Sequence, residues 1–325
     1  MPKISRTLIA LTLAAAVAPS FAWNGFGHMV VADVAYRDLE AHAPQLLTRV
    51  NGLLRLNPNY SKWISGVAKS SQEEVAFVQA AHWADDIKDS GSGYYEDGAN
   101  DGDTGAEPVS SYNLGYAPTD TAMHKYWHFI DDGFSPDGTP VLATPAPNAE
   151  DRITLFMQTI ASTTAADALK SYDLTWLIHL VGDIHQPLHA TTRFTADAPS
   201  GDEGGNLVSV SCSSSADCPS ELHAVWDDIL GTSTSATTAM SYAATLTIPT
   251  GTTVHATDDV WAAESLQMAE KDAYAGIGNA TTGTHKLSST YLSTAKADAK
   301  LRVALAGARL SYLIQQNLRS TGTSH

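Results

Sequence analysis

The strongest constraint on this chain lies between residues 171 and 189. The stretch 171–184 is predominantly apolar, which predicts a buried helix. That same segment ends in the run HLVGDIHQPLH, which carries His179, Asp183, His185 and His189 within eleven residues. Any fold that buries the helix therefore takes imidazoles and a carboxylate inside, where unpaired polar groups cost several kcal/mol. His179 and Asp183 are four apart and share a helical face. His185 falls on another face and reads as a packing or supporting residue. Pro187 ends or kinks the helix, and His189 follows the break. Imidazole and carboxylate together form a ligand set that suits zinc. His223 and Asp227 repeat the i, i+4 pairing among apolar neighbours. One such pair is an ordinary surface feature; two, with a third His beyond a Pro, point to a metal.

The amino terminus adds a further candidate. Lys3 and Arg6 precede an apolar run at 8–18, and Ser20 to Ala22 forms a small-x-small cleavage site. Residues 1–22 are expected to be a signal peptide, too short in its apolar part to span a bilayer. The remainder, 23–325, is expected to be one domain, without linker or internal repeat. Cleavage would free an α-amino group at Trp23, five residues before His28. Amine, adjacent carbonyl and imidazole can chelate a metal together.

Charge narrows the function. The chain has 19 Lys+Arg against 35 Asp+Glu; without Lys3 and Arg6 the balance is 17 against 35, a net −18. Such a chain does not hold nucleic acid in a basic groove. If it acts on phosphates, bound metal must bring the positive charge. The two cysteines, Cys212 and Cys218, close a short Ser-rich loop and are expected to form a disulfide, as an oxidising compartment permits.

Helical patterns dominate elsewhere: 27–50, 73–88, 151–161, 260–274 and 290–318. Strand patterns are few, clearest at 207–211 and weaker around Leu222 and Val225. Segments 89–111, 133–148 and 231–253 read as loops. The acidic loop 97–103 lacks the spacing of a calcium loop, and the sequons at 59–61 and 279–281 matter only in a eukaryotic secretory route. His82 and His124 read as local hydrogen-bonding groups, Trp127 and Trp176 as core. Tyr94, Tyr95, Tyr112 and Tyr116 are loop anchors or base-stacking groups. The expected fold is mainly α: a single globular multi-helix domain with little β-structure.

Taken in order, Trp23-x4-His28, Trp83 to Asp85, Trp127 to Asp131, the 179–189 block, Asp202 to Asn206, His223-x3-Asp227, Trp261 to Ser265 and Gly307 to Leu310 span most of residues 23–325. The set resembles the zinc-dependent nucleases of the S1/P1 type, relatives of the zinc phospholipases C. The resemblance implies a cleft with three Zn²⁺ ions. Asp85, His128, His179 and Asp183 would hold one; His189, His223 and Asp227 a second; and the amine and carbonyl of Trp23 with His28 and Asp183 the third. It further implies hydrolysis by a zinc-activated hydroxide, with Asp131 orienting the attacking water. Lys88 stands where relatives often carry Arg and would contact phosphate as a point charge; Asn206 resembles a substrate-binding position. The implied activity is a secreted or periplasmic endonuclease and 3′-nucleotidase, cleaving RNA and single-stranded DNA to 5′-phosphorylated products. A zinc phospholipase C is the nearest alternative, disfavoured by Asp227 where that branch has Glu. A non-catalytic zinc-binding protein is the other, disfavoured by Asp131 and Asn206. The segment 190–203 is expected to form part of the cleft wall.

Overall fold

A computed structural model describes residues 23–89, 91–96, 122–213 and 218–318. The stretch 1–22, expected to be a signal peptide, the acidic stretch 97–103, Tyr112 and Tyr116 lie outside the described residues. Helices make up most of the body: α1 (Gly25–His42), α2 (Pro44–Leu54), α3 (Tyr60–Trp63), α4 (Gln72–Ala80), α5 (Trp83–Asp86), α6 (Ala149–Ala161), α7 (Asp167–Asp183), α8 (Leu222–Asp228), α9 (Ala236–Ala243), α10 (Asp258–Met268) and α11 (Ser289–Asn317). Among the described residues, β-structure amounts to two parallel pairs of three-residue strands and a few isolated bridges. β1 (Asp132–Phe134) pairs with β2 (Thr191–Arg193), and β3 (Val210–Cys212) with β4 (His285–Leu287). The mainly α expectation is met.

α7 is the axis of the molecule. Every residue from Leu169 to Asp183 is buried, so the helix has no solvent face. α6, α2, α11, α1 and α5 pack around it. Its apolar side chains, including Leu174, Leu177, Ile178, Leu180 and Val181, join the largest hydrophobic cluster. Each such burial contributes about 1.5–3 kcal/mol. α1 is held equally deep, against α11, α9 and α4. Its crossing with α11 is close because Gly307 faces Val34; a Cβ there would lie 2.5 Å from the valine Cβ. Among the described residues no helix is long and apolar enough to cross a membrane.

Several boundaries differ from the sequence reading. The pattern at 27–50 is two helices, because Pro44, which has no N–H and cannot continue a helix, opens α2. The pattern at 73–88 also breaks, between Ala80 and Trp83, leaving the Ala81 carbonyl outside the helical ladder. Leu222 and Val225, given a weak strand reading, lie in α8, where Leu222 and Trp226 pack into a separate core cluster. The strand expected at 207–211 begins only at Val210. Segment 231–253 is not all loop, since it contains α9, capped by the Ser235 hydroxyl. The α6 start follows the usual chemistry: Asn148 and Asp151 form a reciprocal capping box. Cys212 and Cys218 form the expected disulfide.

Candidate metal centre

Three long-range approaches build the site around the end of α7. α1 brings His28 beneath Gly182, whose missing Cβ admits the ring; a Cβ there would meet His28 Nδ1 at 2.7 Å. The break after α4 brings in Asp85. The short helical turn Lys125–His128 brings in His128. Asp183 lies among them: its Oδ1 is 3.2 Å from His28 Nε2, and its Oδ2 is 3.1 Å from both His128 Nδ1 and His179 Nε2. Asp85 is within 3.9 Å of the ring nitrogens of His28, His128 and His179. Across the turn that ends α7, His189, His223 and Asp227 converge as a second cluster.

All of these side chains are buried. Within the described residues, potential donor atoms meet closely in three groups: His28, Asp85 and His179; His128, His179 and Asp183; His189, His223 and Asp227. His179 belongs to two of them, so the first two form one continuous cluster.

The imidazoles are oriented in a way that suits metal binding. His179 Nδ1 lies 2.6 Å from the Ala81 carbonyl, His189 Nδ1 2.9 Å from that of His128, and His223 Nδ1 2.8 Å from that of Gly204. A carbonyl only accepts, so each Nδ1 carries the proton and each Nε2 presents its lone pair to the cluster. His223 Nε2 has no hydrogen-bond partner among the described residues, and His128 meets the cluster through Nδ1 instead. Gly204 permits this arrangement: its φ is +58°, and a Cβ would lie 2.3 Å from the Leu188 carbonyl.

Burial also sets the protonation. It pushes His28 down to about 4 and His128 down to about 3, with His179 adding to the first shift and Lys88 to the second. It holds His223 well below the ordinary imidazole range, assisted by His189. Neutral imidazole is the form that binds a metal. Burial would push Asp85 and Asp183 up as well, but Lys88 and His179 outweigh it and hold both carboxyls low. Burial likewise opposes a charge on His179, yet Asp183 and Asp85 raise it. Asp227 is pushed well above the carboxylate range by burial; Gln186, donating to Oδ1 at 2.7 Å, offsets only part. A buried carboxylate in that condition is satisfied by a nearby cation. The donor types, the unpartnered His223 Nε2 and the charge state of Asp227 all fit a divalent metal.

Behind the centre, Trp176 packs against His128 with ring centroids 5.6 Å apart and against Trp127 and Trp83 at 4.9 and 5.5 Å. This aromatic wall keeps water from the rear of the site, and Trp127 and Trp176 are core as expected. Trp23 is fully buried and its side chain covers Gly27. Asp131 has a φ of +60°, unusual for a residue with a side chain. It is held there because Ile130 N and Asp132 N donate to the carbonyls of His189 and Ala190. Lys88 does not face outward: its Nζ is 2.6 Å from Asp85 Oδ1. Asn206 is half-buried and donates to the Glu203 carbonyl in its own turn. Within the segment 190–203, residues 196, 197, 199 and 200 are exposed and most others are buried. Thr191, Arg193, Thr195 and Asp202 are buried, and Asp202 accepts from Arg193 and Tyr274.

Gln186, Gly182 and the Ala81 carbonyl escaped the sequence reading as site components. Only Gln186 left a trace, as an amide within the His-rich run 179–189. His82, by contrast, is the local group expected, bonded to Asp86 and Gln79. His124 stacks on Trp127 at 3.6 Å.

A helical body that buries linked His/Asp clusters at the end of its central helix defines a protein built around a metal-type centre. The sequence model of the S1/P1 nuclease family matches residues 23–319, and the chain belongs to that family. It is also 36% identical over 78 residues to Endonuclease 4 of Arabidopsis thaliana, a stretch covering 23% of this chain and 23% of that protein.

Proposed function

We propose that this protein is an exported zinc-dependent endonuclease with 3′-nucleotidase activity, released after cleavage following Ala22. Its substrates would be RNA, single-stranded DNA and nucleotides, cut to 5′-phosphorylated products. The observation that carries the reading is the convergence of buried imidazoles on buried carboxylates: His28 and His179 turn Nε2, and His128 its Nδ1, toward Asp183, while His223 turns Nε2 toward Asp227. Membership of the S1/P1 nuclease family supports it.

Asp85, His128, His179 and Asp183 would hold one zinc, and His189, His223 and Asp227 another. His28 and Asp183 would hold a third together with the amine and carbonyl of Trp23. Bound zinc would supply an activated water near neutral pH and the positive charge that a net −16 chain lacks. The protein's own residues do the rest. Asp131 orients the attacking water through its carboxylate, from a backbone position locked to the carbonyls of His189 and Ala190. Lys88 pairs with Asp85 and would contact phosphate as a point charge. Asn206, beside two glycines, contacts the substrate. The aromatic wall keeps competing water out of the rear of the site.

The test is zinc per chain, measured on protein beginning at Trp23, with product analysis on the same sample before and after chelation. About three zincs and chelator-sensitive release of 5′-phosphorylated products are expected. Chelation also lowers the thermal midpoint, because metal bound only by the folded state stabilises it. Zinc without nucleic-acid cleavage would overturn the substrate assignment. Metal-replete protein without zinc would overturn the site.

A further inference from the structure

The two clusters are joined by one turn, Ile184 to Leu188, and the chain spends an unusual number of buried polar groups on holding it. Ser265 Oγ donates to the Ile184 carbonyl at 2.6 Å. Arg302 Nε donates to the His185 carbonyl at 3.1 Å, and its Nη2 donates to Ser265 Oγ at 2.6 Å. His185 Nδ1 bonds the Val181 carbonyl at 2.7 Å, while Arg309 Nη1 meets His185 Nε2 at 2.9 Å. Glu264 ties both arginines together, at 2.9 Å to Arg302 and 2.7 Å to Arg309. Arg302, Arg309, His185 and Ser265 are all buried.

Two facts make this more than helix capping. Buried arginines are costly unless fully paired, and a helix C-terminus is ordinarily satisfied by a glycine turn or water. Moreover, the turn passes its position onward. The Gln186 amide donates to Asp227 Oδ1 at 2.7 Å, and its carbonyl oxygen accepts from Leu188 N at 2.6 Å. Any shift of the turn therefore displaces Asp227, and with it the spacing between the second cluster and Asp183.

We infer that Glu264, Ser265, Arg302 and Arg309 form a clamp that positions the His189–His223–Asp227 cluster relative to Asp183, acting through His185 and Gln186. They are positioning residues; none belongs to either cluster. The inference rests on the metal reading above. It assigns a role to His185 that its place off the ligand face left undefined: an imidazole that donates through Nδ1 to the Val181 carbonyl and accepts through Nε2 from Arg309.

The experiment uses the full mature chain with Ser265→Ala, Arg302→Lys and, as control, Ser311→Ala. Ser311 is as buried as Ser265 and lies on α11 with both arginines, but its hydroxyl donates to Asp38, away from the turn. Zinc retention is titrated against a competing chelator, and thermal unfolding of each metal-free protein is recorded. Loosening a support of this kind weakens metal affinity by about 10–100-fold. For Ser265→Ala and Arg302→Lys that loss should fall on one zinc equivalent, with the others retained. Ser311→Ala should show no selective loss at a comparable thermal shift. Equal weakening of every zinc, or selective loss in the control too, would reduce the clamp to general stability and overturn the inference. Wild-type-like retention in both clamp variants would overturn it directly. A wild-type protein that takes up no zinc would instead bring down the metal reading itself.

Discussion

Gly182→Ala separates two opposing effects in one residue. The position is inside α7, where replacing Gly by Ala ordinarily stabilises by about 1 kcal/mol, because the unfolded chain loses freedom. Here the added Cβ would lie 2.7 Å from His28 Nδ1 and 3.0 Å from its Cε1. Both atoms belong to a rigid ring, and the ring is already stacked on His179 with centroids 3.8 Å apart. The ring cannot fold aside as the end of a flexible side chain would. Overpacking of this sort costs about 1–3 kcal/mol, which exceeds the propensity gain or cancels it. The expected balance is a metal-free protein destabilised by up to about 2 kcal/mol. His28 should also be displaced from Asp183, with loss of about one zinc equivalent per chain. Urea unfolding of the metal-free protein and zinc content after dialysis give the two numbers. A variant more stable by about 1 kcal/mol with its full zinc complement would show that His28 yields freely. The close approach would then have no part in the centre.

Asp131→Ala should keep its zinc and lose turnover by about 10²–10⁴-fold, the usual contribution of a positioned acid–base group; undiminished hydrolysis would remove Asp131 from the reaction. Stability should also depend on pH through Asp33, which is buried in α1 and pushed up to about 7 by that burial and by the neighbouring Glu74. The folded state favours the protonated acid, so this contribution is complete below the ordinary pKa of 3.8 and is lost as pH rises towards 7. Asp33→Asn should flatten that decline and leave the protein more stable than wild type at pH 8. An unchanged slope in denaturant titrations at pH 5, 6, 7 and 8 would refute the assignment.

Local chemistry made much of this legible from the residues alone. The apolar run at 171–184 had to be a buried helix, and four-residue spacing put His179 and Asp183 on one face whatever surrounded them. His223 and Asp227 likewise needed only to be helical, even though the short, Val-containing stretch around them also resembled a strand. The breaks were harder. Pro44 carries its own signal, but the stretch around the break after Ala80 contains neither Gly nor Pro. It is imposed from outside, since opening the ladder there gives His179 Nδ1 the Ala81 carbonyl.

What the sequence determined, then, is which groups must be buried and which can share a face, because both follow from hydrophobicity and helical period. Tertiary structure alone decided which buried groups meet. His28 and Gly182 are separated by most of the first half of the chain, and Gln186 reaches Asp227 across 41 residues. The clamp joins Arg309 to His185 across 124. Such contacts depend on how helices cross, and a helix crossing is set by the packing of whole faces rather than by any local pattern.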